Sequence, residues 1–105
     1  MENLESIEQY EQIIQKERVM LLFTADWCPD CRVIEPFLPA LEVDYQEIEF
    51  YSVDRDQFGE LAQELDVFGI PSFIAFSKGI EVDRFVSKNR KTRVEIEAFF
   101  NQLNW

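Results

Sequence analysis

Histidine is missing from this chain, glycine occurs only three times, cysteine twice, and basic side chains are outnumbered 10 to 21 by acidic ones. Without histidine there can be no Ser-His or Cys-His catalytic arrangement and no histidine-ligated metal. A formal net charge of -11 would repel a phosphate backbone, so no nucleic-acid partner is expected. No apolar run comes near the ~18 residues of a membrane span, and Met1 to Glu5 lacks the basic and apolar stretches of a secretory signal. The expectation is a soluble, cytoplasmic protein with no membrane partner, acting as a monomer. Cys28 and Cys31 lie too close in sequence to staple a long loop, and a reducing cytosol would not maintain such a staple. Their purpose should therefore be chemical.

With 47% hydrophobic residues, ten of them Phe, the chain has the apolar surface to offset ordering entropy, and its 105 residues fit a single domain over 1–105. Leu4, Ile7, Tyr10, Ile13 and Ile14 recur at helical spacing. Val19 to Ala25 is a near-continuous apolar run, suited to a strand buried on both faces of a parallel sheet. A helix follows from Cys28 to about Val43, with Pro36 and Pro39 expected to kink it. Ile48 to Val53 predicts a second strand, and Phe58, Leu61 and Leu65 a short helix. Ser72 to Ser77 and Ile80 to Val86 flank Lys78-Gly79, a hairpin signal. Thr92-Arg93-Val94-Glu95 predicts a capping box opening a last helix, whose core face is assigned to Val94, Ala98, Phe99 and Leu103.

The chemistry concentrates in Trp27-Cys28-Pro29-Asp30-Cys31, where a buried strand gives way to a helix. The first amides of a helix lack intrahelical acceptors, so a thiolate at Cys28 would be stabilised there, and Pro29 suits the first helical position. Cys28 would attack a disulfide and Cys31 would resolve the mixed disulfide. A Cys-x-x-Cys can also be half of a zinc site, but no second half exists in this chain.

The segment Phe23 to Cys31 resembles the active-site segment of the thioredoxin family, which usually reads Trp-Cys-Gly-Pro-Cys, and Phe68-Gly69-Ile70-Pro71-Ser72-Phe73 resembles its second signature, a cis-proline loop. The resemblance implies an α/β thioredoxin fold: a central mixed sheet of about four strands flanked by four helices, with the family's first edge strand absent. It also implies Cys28 as nucleophile, Cys31 as resolving thiol, Pro71 in cis, and Trp27, Ile70 and Pro71 as the surface that binds substrate. The expected activity is reduction of protein or small-molecule disulfides. A separate reductase would serve as electron donor, with no cofactor beyond the Cys28-Cys31 disulfide and no metal.

The chain departs from the family at the buried Asp that manages the resolving cysteine's proton. That position falls on Leu22, and the accompanying Lys falls near Phe50. Asp30 could take over the proton transfer, or simply add favourable negative charge to a helix start. Lys88, Arg90, Lys91 and Arg93 read as a solvated loop, with a second reading in which they face the cysteines and attract an acidic partner. Two other functions compete with the reductase: a partner-binding module with regulatory or incidental cysteines, and a metal or iron-sulfur site shared between two chains.

Overall fold

The strand Val19–Thr24 (β2) explains the architecture: its first five residues are 0–2% exposed, so both of its faces must be covered. The computed structural model, which describes all of residues 1–105, surrounds β2 with a five-stranded sheet. In chain order the elements are β1 (Glu2–Asn3), α1 (Ile7–Ile13), β2, α2 (Pro29–Ile34), a 3-10 turn (Glu35–Phe37), α3 (Leu38–Asp44), β3 (Glu49–Asp54), α4 (Gly59–Glu64), β4 (Ser72–Ser77), β5 (Ile80–Phe85) and α5 (Arg93–Gln102). The strand order is β1-β3-β2-β4-β5. β1, β3 and β2 run parallel, while β4 and β5 are antiparallel to their neighbours, which makes the sheet mixed.

Alternation along β2 divides the core into two layers. Val19, Leu21 and Phe23 join Ile13 of α1 and Leu61 of α4 on one face. Met20 and Leu22 join Ile34 of α2, Leu41 of α3 and Ile96, Phe99 and Phe100 of α5 on the other. A mixed sheet covered by helices on both faces is the thioredoxin fold expected from the sequence.

Four local expectations are corrected. The edge strand thought to be absent is present as β1, whose Glu2 and Asn3 pair with Tyr51 and Ser52. Two exposed polar residues with weak strand preference left no pattern to read. Leu4 then belongs to the core beyond this strand, not to the first helix, which opens only after the cap formed by Ser6 Oγ on the Gln9 amide. The helix expected over 28–43 is interrupted rather than bent: Pro36 and Pro39 each sit in a first turn, one of the 3-10 turn and one of α3, where a missing amide costs nothing. Counting α2 and α3 as halves of that interrupted helix leaves four helical units.

Finally, the capping box holds, with Thr92 Oγ1 accepting from the Glu95 amide and Glu95 Oε1 accepting from the Thr92 amide. The face it launches differs from the expected one. Val94 is 76% exposed and Ala98 is exposed, while Ile96, Phe99 and Phe100 are buried. At the hairpin, Lys78 and Gly79 both take positive φ (53° and 85°), the backbone hand of a two-residue turn between twisted strands.

Candidate active site

β2 ends at Thr24, and the chain turns through Ala25-Asp26-Trp27 into α2, with the Cys28 amide bonded to the Ala25 carbonyl at 3.2 Å. Cys28 is the N-cap of α2: its backbone is extended, and its Sγ accepts from the Cys31 amide at 3.2 Å. Pro29 follows at the first helical position. One turn of helix brings the second sulfur back to the first, and the two cysteines are joined as a disulfide with Cα atoms 5.3 Å apart. The amide aimed at Cys28 is the contact that would stabilise a thiolate there.

The opposite wall is the loop before β4. Ile70-Pro71 is a cis peptide, and the Ile70 carbonyl oxygen lies 3.8 Å from Cys28 Sγ. Ala25, Cys28, Cys31 and Ile70 form a small apolar cluster of their own. Gly69 precedes the cis bond because the Ser87 carbonyl passes so close that any Cβ would overlap it. The structure thus brings Cys28, Cys31 and Ile70 into contact, with Trp27 next to Cys28 in the chain and Pro71, expected on the binding surface, buried instead. The sulfurs are less open than a helix tip suggests, however: Cys28 is 4% and Cys31 1% exposed, since the disulfide is folded under the Ile70 loop.

Trp27 stands out from this surface at 59% exposure, its Nε1 donating to Asp56 Oδ2 at 2.7 Å. Asp56 is itself held in a turn in which Asp54 Oδ1 accepts from its amide. Asp30 points away from the disulfide toward the loop after β5, where its Oδ1 accepts from Arg90 Nε at 2.9 Å, and no hydrogen bond links it to either sulfur. Leu22 and Phe50, the positions of the family's buried ion pair, lie in one apolar layer.

Sequence reasoning missed three residues. Phe68 is 63% exposed and lines a groove of about 230 Å³ with Trp27, Arg55, Gly69, Ile70 and Lys88. Its place in the cis-proline signature was the available signal. Arg55 carried no local signal, since β3 and the loop after it give no hint of which way they face. The exposed Lys88, Arg90 and Arg93 keep the reading of their basic run as a solvated loop, but Lys91 departs from it. It is 1% exposed, and its Nζ donates to Ser87 O, Ser87 Oγ and Asn89 O at 3.2–3.3 Å. Burial pulls this ammonium below the usual lysine range, while the charges of Asp30 and Glu95 work against that shift. No group of three or more His, Cys, Asp or Glu side chains is placed to hold a metal ion.

Comparison with known proteins agrees with this geometry. The Thioredoxin family model matches residues 3–101. Thioredoxin-2, a mitochondrial protein of Schizosaccharomyces pombe, is 34% identical over 100 residues, covering 94% of this chain and 75% of its own. Thioredoxin of Oryctolagus cuniculus is 30% identical over 106 residues, covering 98% of each. Among solved structures, Plasmodium falciparum thioredoxin superposes with a TM-score of 0.86 at 24% identity, over 97% of this chain and 98% of that one.

Proposed function

The chain belongs to the thioredoxin family and is a thiol-disulfide oxidoreductase, and on that premise we propose that it works as a reductant of protein disulfides. The observation that carries the proposal is the Cys28-Cys31 disulfide, capped by the Cys31 amide and facing the cis Ile70-Pro71 peptide.

In the reduced protein, the Cys28 thiolate attacks one sulfur of a substrate disulfide. The substrate S–S bond breaks, a mixed disulfide forms, and the first substrate thiolate leaves and takes up a proton. Cys31 loses its proton and attacks Cys28 Sγ, and the second substrate thiolate departs. Two electrons have passed to the substrate, and the Cys28-Cys31 disulfide is restored to the state seen here. A separate reductase returns two electrons, uptake of one proton restores the Cys28 thiolate and Cys31 thiol, and no bound cofactor takes part.

In this mechanism Trp27, Ile70 and Pro71 bind the substrate segment, supported by the exposure of Trp27 and by the Ile70 carbonyl 3.8 Å from Cys28 Sγ, with Pro71, its side chain buried, holding that loop through the cis bond. Asp30 receives the Cys31 proton through an intervening water, since its carboxylate pairs with Arg90 and touches neither sulfur; the support is its place one residue before that thiol in a chain whose buried position 22 is apolar. Its ion pair with Arg90 offsets the repulsion that a carboxylate this close would exert on a thiolate. The protein acts as a monomer in the cytoplasm, where the thiol pool favours reduction. Imaging of the tagged full-length protein tests that placement, and a mitochondrial signal would refute it.

Trapping tests the mechanism. Cys31→Ser should accumulate a mixed disulfide between Cys28 and a protein substrate, visible as a dithiothreitol-sensitive adduct, and Cys28→Ser should form none and lose all turnover. If the wild type itself shows no Cys28-dependent turnover, a binding module with incidental cysteines is favoured instead. The measured potential of the pair should lie below the glutathione pool, about -220 to -260 mV; a value well above it would make the protein an oxidant.

A further inference from the structure

The groove beside the disulfide is lined by cations in a very acidic molecule. Carboxylates outnumber cations two to one in the chain, yet this groove is lined by Arg55 and Lys88 and by no carboxylate. Lys88 takes part in none of the chain's ion pairs. Arg55 has only a loose one, 3.7 Å to the neighbouring Asp56, whose other oxygen is held by Trp27. On the helix side, Arg90 neutralises Asp30.

The cations are carried on a built surface. Lys91, buried, ties its Nζ to Ser87 and Asn89 on either side of Lys88. Ser87 in turn is pressed against Gly69 in the substrate-facing loop. Lys88 is therefore held at the rim by a fixed turn.

We propose that this groove selects protein disulfides whose attacked cysteine is flanked within a few residues by carboxylate side chains; the proposal rests on the reductase reading above. Trp27 and Phe68 supply apolar contact, and Arg55 and Lys88 supply charge complementarity. An extended protein segment fits better than a small anion, because a second recess of about 530 Å³ shares Arg55 and Phe68 with the groove and prolongs it; that recess also carries Asp56 and Asp66, so the substrate's carboxylates belong on the Lys88 side. The chain's net negative charge does not cancel the effect. At physiological salt the screening length is about 8 Å, so a bound segment feels the groove's cations far more than remote carboxylates.

The test uses disulfide peptides identical except for Glu, Gln or Lys on both sides of one cysteine, with dithiothreitol as terminal reductant. At 20 mM salt, kcat/KM for the Glu peptide should exceed that for the Gln peptide about fivefold, with the Lys peptide lowest. At 0.5 M salt the spread should fall within about twofold. Lys88→Gln should cut the Glu-to-Gln ratio by at least half, while Lys78→Gln, at the β4–β5 turn, should leave the ratio as it is. Equal rates for the three peptides at low salt, or a ratio indifferent to Lys88→Gln, would overturn the selectivity. Bis(2-hydroxyethyl) disulfide, small and neutral, reports exchange alone: if the reduced protein fails to reduce it, the reductase reading itself falls.

Discussion

Replacing Leu22 by Asp would restore the carboxylate that the family buries beneath its cysteines, into surroundings that no longer accommodate it. Leu22 is 2% exposed in a layer of aliphatic and aromatic side chains, with Phe50 where the family's cation would stand. The only buried cation of the chain, Lys91, is already engaged by three oxygens of its own loop. Losing the leucine costs about 2–5 kcal/mol. An Asp with no partner folds in its neutral form, and protonating it at pH 7 from an unfolded value near 3.9 costs about 4 kcal/mol more.

The sum approaches the whole stability of an ordinary domain, about 5–15 kcal/mol, so the variant should be marginal or unfolded at neutral pH. The sign with pH is distinctive. A carboxyl whose folded pKa is raised destabilises as pH climbs from its unfolded value toward its folded one, so Leu22→Asp should recover as pH falls to 4. Leu22→Asn carries the same shape without the charge, and its deficit should not follow pH. Urea unfolding of the oxidised proteins at pH 4, 5.5 and 7 measures the difference between the two variants. If they differ by less than about 1 kcal/mol at pH 7, a partner or water reaches position 22 and the layer is not the dry one argued here.

Asp30→Asn, studied by stopped flow on a preformed mixed disulfide, should slow attack by Cys31 about tenfold or more, and an unchanged rate would remove Asp30 from the proton path. Phe100, whose ring lies 5.1–6.0 Å from those of Tyr45, Phe50, Phe73 and Phe99, should cost about 3–5 kcal/mol when cut to Ala, read from the urea midpoint. Thr92→Ala should cost about 1 kcal/mol through loss of the cap. Hydrogen bonds from Thr92 hold the Glu95 carboxyl below its usual range. Its contribution is therefore complete above the ordinary glutamate value and lost as pH falls through the lowered one. The stability gap between the wild type and Glu95→Gln should close in acid.

What could be read in advance followed from patterns with a strong physical cause. β2 announced itself because a strand covered on both faces must be apolar at every position, and the turn at Lys78-Gly79 because two positive φ angles favour glycine. The cysteines and the cis-proline loop were legible because chemistry ties residue type to position. β1 was invisible because two residues cannot display a period. Val94 was assigned to the core by its side chain alone, although the arc of α5 that meets the sheet is fixed by Ile96, Phe99 and Phe100. Lys91 could not be foreseen: lysine seldom tolerates full burial, and the oxygens that satisfy it come from the fold of its own loop. The site was thus readable where it consists of reacting atoms, and unreadable where it consists of the surface that admits a substrate.

That surface can be tested at Phe68. Cys28 exposes almost nothing to solvent, while Trp27 and Phe68 beside it are each more than half exposed. Trp27 and Phe68 line one groove with Ile70, whose carbonyl faces the Cys28 sulfur, and covering the two rings contributes binding in proportion to apolar area. If a protein segment covers about 60–80 Å² of Phe68, the gain is about 1.5–2 kcal/mol. Phe68→Ala should then lower kcat/KM for a protein disulfide about 10- to 30-fold, mainly through KM. Because Phe68 belongs to neither core layer, the folded state should lose no more than about 0.5 kcal/mol. Bis(2-hydroxyethyl) disulfide is too small to cover the ring, so the preference for protein over small disulfide should shrink by the same factor. An equal loss with both substrates would mean that Phe68 acts by shaping the Ile70-Pro71 loop, and the docking argument would fail.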